Sequence, residues 1–144
     1  MAIIYPIYPP VVSGFIYNVG AQSVPVESDI VFDTNGILSA GIMHIPGSAQ
    51  IVVSNFGSYE VDYCLSGVEP CQFALFLNST LATGTIYGSG AGTQQNSGQA
   101  IIAAAAGDVL TLRNHSSSSV ITLQILAGGT QTSVNASLLI KKLS

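Results

Sequence analysis

The sequence predicts an all-β fold, an antiparallel jelly-roll sandwich of about 8–10 short strands. Val, Ile, Thr, Tyr and Phe dominate the periodic segments, and Gly, Pro, Asn and Ser separate them. Apolar and polar residues alternate with a period of two, which places them on opposite faces of a strand. No segment shows a capped apolar stripe at helical spacing. The 144 residues are enough for one domain with a substantial core.

The alternation is clearest over 59–63, where two Tyr and a Val share one face and two acidic residues share the other. The next segment, 71–77, is apolar on both faces, so we expect both of its faces to be covered. Turn signals at Asn35–Gly36 and Pro46–Gly47 separate the early strands. The remaining predicted strands are 14–18, 30–33, 37–45, 50–54, 109–113, 121–125 and 134–141.

Two segments are predicted to lie outside the strands. Residues 88–98 are rich in Gly, Ser and Gln and hold no apolar side chain larger than Ala, which predicts an exposed loop. Residues 1–13 form an apolar segment with three prolines and no positive charge, which is untypical of a secretory signal. We expect this segment to be an extended N-terminal arm that packs along the same or a neighbouring subunit. Residues 14–144 then form the jelly-roll domain.

The composition excludes several classes of protein. Charged residues are only 7% of the chain, and hydrophobic residues at 48% are too many for a disordered protein. The longest apolar run, 100–106, is too short to span a membrane. Arg113, Lys141 and Lys142 are the only Lys or Arg residues, and three cations cannot neutralise a nucleic-acid backbone. The neutral polar surface and surplus apolar residues predict a subunit interface instead.

No pattern of catalytic, cofactor-binding or metal-binding residues is present in the sequence. No Ser lies in a Gly-x-Ser-x-Gly motif, and no acid–base or nucleophile–base pair is visible. His44 and His115 lack metal-ligand spacing, and no acidic residue completes a calcium loop begun at Asp33. Glu27 and Asp29 are weak candidates for a cation shared between subunits. We therefore expect a protein that is not an enzyme and has no cofactor.

Cys64 and Cys71 are candidates for a disulfide. They end one predicted strand and begin the next, so a hairpin would bring them within bonding reach. Closing so short a loop would stabilise the fold by at most about 2–3 kcal/mol. Two buried free thiols are an equally good interpretation, and a bond between subunits is a third. Two cysteines alone cannot complete a zinc site.

The aromatic residues suggest a second candidate site. Tyr59, Tyr63, Phe73 and Phe76, together with Tyr87, are more than we expect one small sandwich to bury. We therefore expect some of the first four to pack around a three-fold axis in a homotrimer. Closed cyclic symmetry would cover the surplus apolar surface without leaving an open end.

The chain from about residue 14 onward resembles a known family. The broad cues are Gly14–Phe15, 30–33, 57–59, 106–110 and a final apolar strand, and the narrower ones are 72–78, 87–95, 107–115 and 135–144. In order and spacing these resemble the C-terminal globular domain of Bacillus collagen-like spore-surface (exosporium) proteins. That domain belongs to the tumour-necrosis-factor-like and complement-globular-head superfamily.

The resemblance implies an antiparallel jelly roll, a homotrimer and a non-catalytic structural role on the bacterial spore surface, the exosporium. It also implies other spore-surface proteins as partners of the N-terminal arm. The alternative function is a trimeric head that binds a ligand, glycan or receptor, since one fold hosts many functions. The family carries a collagen-like Gly-X-Y stalk before this domain. Here about a dozen residues precede the domain and hold no such repeat, which fits either an excised domain or a stand-alone paralogue.

Overall fold

The computed structural model describes residues 3–4 and 10–144, and within them the chain forms thirteen strands and no helix. The all-β prediction is therefore confirmed. Most of the predicted N-terminal arm, residues 1–2 and 5–9, lies outside the described residues. No helix in the described part of the chain is long and apolar enough to cross a membrane.

The first sheet has five antiparallel strands in the order β10–β6–β13–β1–β3. Its central strand β13 pairs with β6 on one side and β1 on the other, so the two ends of the domain meet in one sheet. The strands span Ser13–Asn18 (β1), Thr34–Leu38 (β3), Gly57–Ser66 (β6), Gln95–Ala104 (β10) and Ala136–Lys142 (β13).

The second sheet has six strands in the order β4–β5–β11–β7–β8, with β9 also paired to β7. It comprises Ile42–Met43 (β4), Ile51–Val53 (β5), Cys71–Leu77 (β7), Thr80–Leu81 (β8), Tyr87–Ser89 (β9) and Val109–Asn114 (β11). A short ribbon of Ser23–Val24 (β2) and Ile121–Thr122 (β12) closes one end. The two sheets face each other as a jelly-roll sandwich.

The core fills the space between the sheets because alternate residues of each strand point inward. In β6 these are Tyr59, Val61, Tyr63 and Leu65, all buried. From the opposite sheet come Phe73, Leu75, Leu110 and Leu112, also buried. Each such side chain contributes about 1.5–3 kcal/mol by leaving water.

The predicted loop over 88–98 is wrong at both ends. Residues 87–89 form β9, and residues 95–98 begin β10, where Gly98 pairs with Tyr63. Backbone hydrogen bonds to β6 do not require apolar side chains, so the polar composition misled the prediction. Only the residues between β9 and β10 form the connection.

Three other segments depart from the predicted strands. Residues 30–33 bury Ile30 and Phe32 completely but form only isolated bridges to neighbouring segments. The predicted strand 37–45 is broken at Gly41, whose φ of +100° suits Gly. The predicted turn at Asn35–Gly36 lies inside β3 instead, and the strand predicted over 121–125 ends at Thr122.

Candidate self-association surface

The face of the first sheet that points away from the core forms a surface of three cross-strand rows. It is set by the alternation in β6, whose partly buried residues Glu60, Asp62 and Cys64 lie between the core positions. Each row contains one residue from β1, β13, β6 and β10 in that order. The rows are Ser13, Lys141, Glu60 and Ile101; Phe15, Leu139, Asp62 and Gln99; and Tyr17, Ser137, Cys64 and Ser97. We call this surface the sheet face.

One side of the sheet face is apolar. Phe15 and Tyr17 lie side by side on β1 with ring centroids 5.4 Å apart. Leu139 is the cross-strand neighbour of Phe15, and Ile37 on the next strand is 85% exposed. Phe15 and Ile37 are exposed, and Tyr17 and Leu139 are half-buried. A group of aromatic and aliphatic side chains that reaches the surface in this way is typical of a protein–protein contact.

The middle of the sheet face carries two neighbouring carboxyl groups. Burial, followed by the hydrogen bond and the negative charge of Glu60, raises the pKa of Asp62 above its ordinary value. The same hydrogen bond from Asp62, with Lys141, lowers the pKa of Glu60. Lys141 Nζ lies 3.6 Å from Glu60 Oε2. Covering this face would remove more water from Asp62 and raise its pKa further. A contact made over the sheet face would therefore depend on pH.

The first sheet has β3 at one edge and β10 at the other. At the β10 edge, a groove of about 330 Å³ lies between β10 and β8. Ile101, 68% exposed, lies at the far end of the first cross-strand row and also lines this groove. The other lining residues are Leu77, Thr80, Leu81, Ala82, Thr83, Ile102 and Ala103. One edge of the sheet thus presents projecting apolar side chains and the other presents an apolar recess. We call this recess the edge groove.

The four aromatic residues predicted at a three-fold axis lie elsewhere. Tyr59, Tyr63 and Phe73 are in the core of a single chain, and Phe76 is covered on the outside of the second sheet. The Tyr63 hydroxyl lies 2.9 Å from the Phe73 carbonyl oxygen, so its polar end also has a partner within the chain. Three of the four thus fit in one core and Phe76 lies outside it, but all four are buried within one chain and are not exposed for contact with a second copy. The apolar surface that is available lies on the outward face of the first sheet, on β1, β13 and β3.

The two cysteines are free, so the candidate disulfide between Cys64 and Cys71 is not formed in this structure. Cys64 occupies an outward position of β6 on the sheet face, near the Ser97 hydroxyl, whereas Cys71 is buried at the start of β7. Burial raises the pKa of the Cys71 thiol, so it is a poor nucleophile. Within one chain the two thiols are unbonded, and only Cys71 is buried, whereas the notion of two buried thiols requires both to be; a bond between subunits through Cys64 stays a prediction.

A polar cluster on the second sheet was not predicted as a unit. Arg113 Nε donates to Asp29 Oδ1 at 2.9 Å, and its guanidinium carbon lies 4.0 Å from the centroid of the Phe76 ring. His115 packs edge-on against Phe76 and lies 2.9 Å from Glu27 Oε1. The acidic residues lie more than eighty positions from their partners Arg113 and His115 in the sequence, and the pairing of the 27–30 segment with β11 brings them together.

The described residues hold no group of three or more His, Cys, Asp or Glu side chains placed to bind a metal ion. The remaining histidine, His44, is buried and bonded to Asn35 and to the Ser48 carbonyl oxygen. Within the chain, Glu27 and Asp29 contact His115 and Arg113 respectively. The side chain of Asp33 accepts hydrogen bonds from Val19, Gly20 and Thr34, as in a closed turn.

Comparison with known proteins shows which of them share this fold. No protein-family model matches the chain, and no curated protein is significantly similar in sequence. Solved structures do match over nearly the whole chain. The tumour necrosis factor Eiger from S. frugiperda superposes with a TM-score of 0.67 at 12% identity, covering 94% of both chains.

Two further structures are similar. The globular domain of the zebrafish complement 1qA protein gives a TM-score of 0.66 at 9% identity over 92% of this chain and 95% of its own. Murine APRIL gives a TM-score of 0.64 at 10% identity over 93% of this chain and 100% of its own. This is the jelly-roll fold of the tumour-necrosis-factor and complement globular domains. The superpositions establish the architecture, but at identities this low they do not show the function.

Proposed function

We propose that this protein is a non-catalytic structural component of the bacterial spore surface that assembles as a homotrimer through the sheet face. The observation that carries the assembly is the apolar group on β1, β13 and β3, in which Phe15 and Ile37 are exposed and Tyr17 and Leu139 are half-buried beside them. These side chains point away from the core, so folding of one chain does not fully cover them. The spore-surface role is supported by the sequence resemblance and by the low charge, which suits close packing of copies.

Two different surfaces at opposite edges of the sheet support a closed ring rather than a two-fold dimer. A two-fold dimer brings the same patch of both copies together, whereas a ring joins one patch to a different patch of the next copy. Ile37 projects at one edge, and the edge groove beside Ile101 lies at the other. In the proposed trimer the apolar side of the sheet face packs against the edge groove of the neighbour.

The test is the mass of the assembled protein. Light scattering after size-exclusion chromatography is expected to give three times the chain mass for the wild type at micromolar concentration. Ile37→Asp is expected to shift the protein to monomer, because a charge would be buried without a partner. Ile45→Ser, which changes an equally exposed isoleucine away from the sheet face, is the control and should remain trimeric. A monomeric wild type would overturn the proposal.

A second candidate function, a ligand-binding head, is favoured by the polar cluster of the second sheet. Arg113 and His115 flank Phe76 in a fixed arrangement, and non-Gly residues Glu27 and Ser116 adopt left-handed backbone with φ of 63° and 67°. Strained backbone of this kind often marks binding sites. Measuring the binding of the wild type and of Arg113→Gln to a glycan array separates the two functions. A saturable signal that Arg113→Gln abolishes would favour binding.

A further inference from the structure

A second groove, separate from the sheet face, lies where the first and last strands meet. It has a volume of about 770 Å³, within the range of sites that hold small ligands or short peptides. Its walls come from the segment before β1, the turn between β3 and β4, the connection between β5 and β6, and the end of the chain. The lining residues are Pro10, Val11, Val12, Ala40, Gly41, Ser54, Asn55, Phe56, Lys142, Leu143 and Ser144. We call this groove the terminal groove.

The terminal groove is apolar and open to solvent. Phe56 is 79% exposed although it is a large aromatic residue, and Val11 and Leu143 are also exposed. No part of the described chain covers these three side chains. Lys142 contributes its stem to the wall, and its ammonium group bonds to the Ser144 carbonyl oxygen. An exposed aromatic at the edge of a recess of this size is the arrangement that anchors a bound peptide.

The N-terminal arm has the chemistry that the terminal groove would bind. Residues 1–9 contain no charged side chain and are rich in Ile, Tyr and Pro. Ile3 and Ile4 are 72% and 90% exposed, so their own chain does not bury them. Prolines at 6, 9 and 10 favour an extended backbone. Nine extended residues span about 30 Å, which is long enough to contact a neighbouring copy.

We propose that the terminal groove binds the N-terminal arm of a second copy of this chain. Pro10 is part of the groove wall, whereas the described residues of the same arm, Ile3 and Ile4, are exposed and do not line the groove. Binding an arm from elsewhere would bury Ile3, Ile4 and Phe56 together. The partner is the one in the proposed function, a second copy, but the surfaces involved are different.

Photo-crosslinking of the full chain tests the proposal. Ile4 is replaced by p-benzoylphenylalanine, and the irradiated protein is run on a denaturing gel. A link within one chain leaves the mass unchanged, whereas a link between copies gives a covalent dimer. We expect the dimer, with the crosslink mapped by mass spectrometry to residues 54–56 or 142–144.

A matched pair of variants makes the test specific. In the crosslinking protein, Phe56→Ser is expected to lower the dimer yield about tenfold, the loss expected from one buried aromatic side chain. Val68→Ser removes an exposed apolar side chain beyond the opposite end of β6 and should leave the yield unchanged. Crosslinks only within the chain, dimers linked outside the groove, or an equal yield in Phe56→Ser would each overturn the proposal. The mass of Ile37→Asp tests the sheet face and the crosslink yield of Phe56→Ser tests the terminal groove, so the two proposals can fail separately.

Discussion

At the scale of single residues, Gly98 shows how one missing side chain fixes the packing of two others. The ring of Tyr63 lies against Gly98 on the neighbouring strand, and the ring of Tyr87 meets Tyr63 edge-on at a centroid distance of 6.1 Å. A Cβ at position 98 would overlap carbon atoms of both rings. The backbone around the buried Tyr63 hydroxyl leaves the ring no room to move away.

Gly98→Ala is therefore expected to lower the free energy of unfolding by about 1–3 kcal/mol, the usual cost of overpacking a core. Urea denaturation followed by circular dichroism measures the change. Gly90→Ala is the control, because a Cβ there meets no atom within 4 Å and the residue lies outside the paired strands. Equal stability of the two variants would contradict the packing described for Tyr63.

The residue scale also limits what sequence could reveal. That Tyr59 and Tyr63 lie on one face of a strand follows from their spacing, and the structure agrees. Whether that face is the core or an interface does not follow from spacing, since both bury aromatic residues. The answer depends on Phe73 and Leu75, which the opposite sheet places against the same face.

At the scale of elements, strands that pair along their whole length with one partner were predictable and irregular segments were not. Residues 71–77 and 109–113 were found within a residue of their observed bounds because their apolar pattern matches their pairing. Residues 30–33 have the same pattern, yet their backbone bonds to two separate segments instead of one continuous partner. The polar start of β10 was missed because its pairing with β6 is carried by the backbone.

The contact between the 27–30 segment and the end of β11 yields a prediction about acid stability. The hydrogen bond from His115 and then the Ser116 backbone N–H lower the pKa of Glu27 below its ordinary value of 4.5. A carboxyl group with a lowered pKa in the folded state stabilises the fold above its unfolded-state pKa. That contribution is lost as the pH falls through the folded-state pKa.

Glu27→Gln is thus expected to destabilise the protein at about pH 6 and to differ little from the wild type at about pH 3. Denaturation midpoints at the two pH values measure the effect. Far-UV circular dichroism at both pH values checks that each protein starts from the folded state. A stability difference that is the same at both pH values would rule out the ionised Glu27 as its source.

At the scale of the whole molecule, the all-β architecture was predictable from strand composition and turn signals, but its exposed surfaces were not. The sheet face combines Phe15, Leu139 and Asp62, which are far apart in sequence and become neighbours only through the order of the strands. The same order puts Ile37 and Ile101 at opposite edges of one sheet. The exposed apolar surface is therefore a property of topology, and sequence patterning alone singled out aromatic residues that are buried within one chain.

The acidic centre of the sheet face makes the last prediction one about assembly and pH. The pKa of Asp62 is raised, so its ionised form costs stability above that pKa, and the cost disappears as the carboxyl group becomes protonated. Glu60 and Lys141 are the charged groups beside it, while its cross-strand neighbours Leu139 and Gln99 are uncharged. Packing another copy over this face would remove more water from Asp62 and raise the cost further.

Asp62→Asn is accordingly expected to associate at lower concentration than the wild type at about pH 7, and the two should converge at about pH 4 as the wild-type carboxyl becomes protonated. Sedimentation velocity over a concentration series at each pH measures the association midpoints. Glu69→Gln makes the same change in charge in the connection after β6, away from the sheet face, and serves as the control. Identical midpoints for Asp62→Asn and Glu69→Gln at neutral pH would show that the trimer does not form over Asp62, because only a carboxylate under the interface would lose its water on assembly.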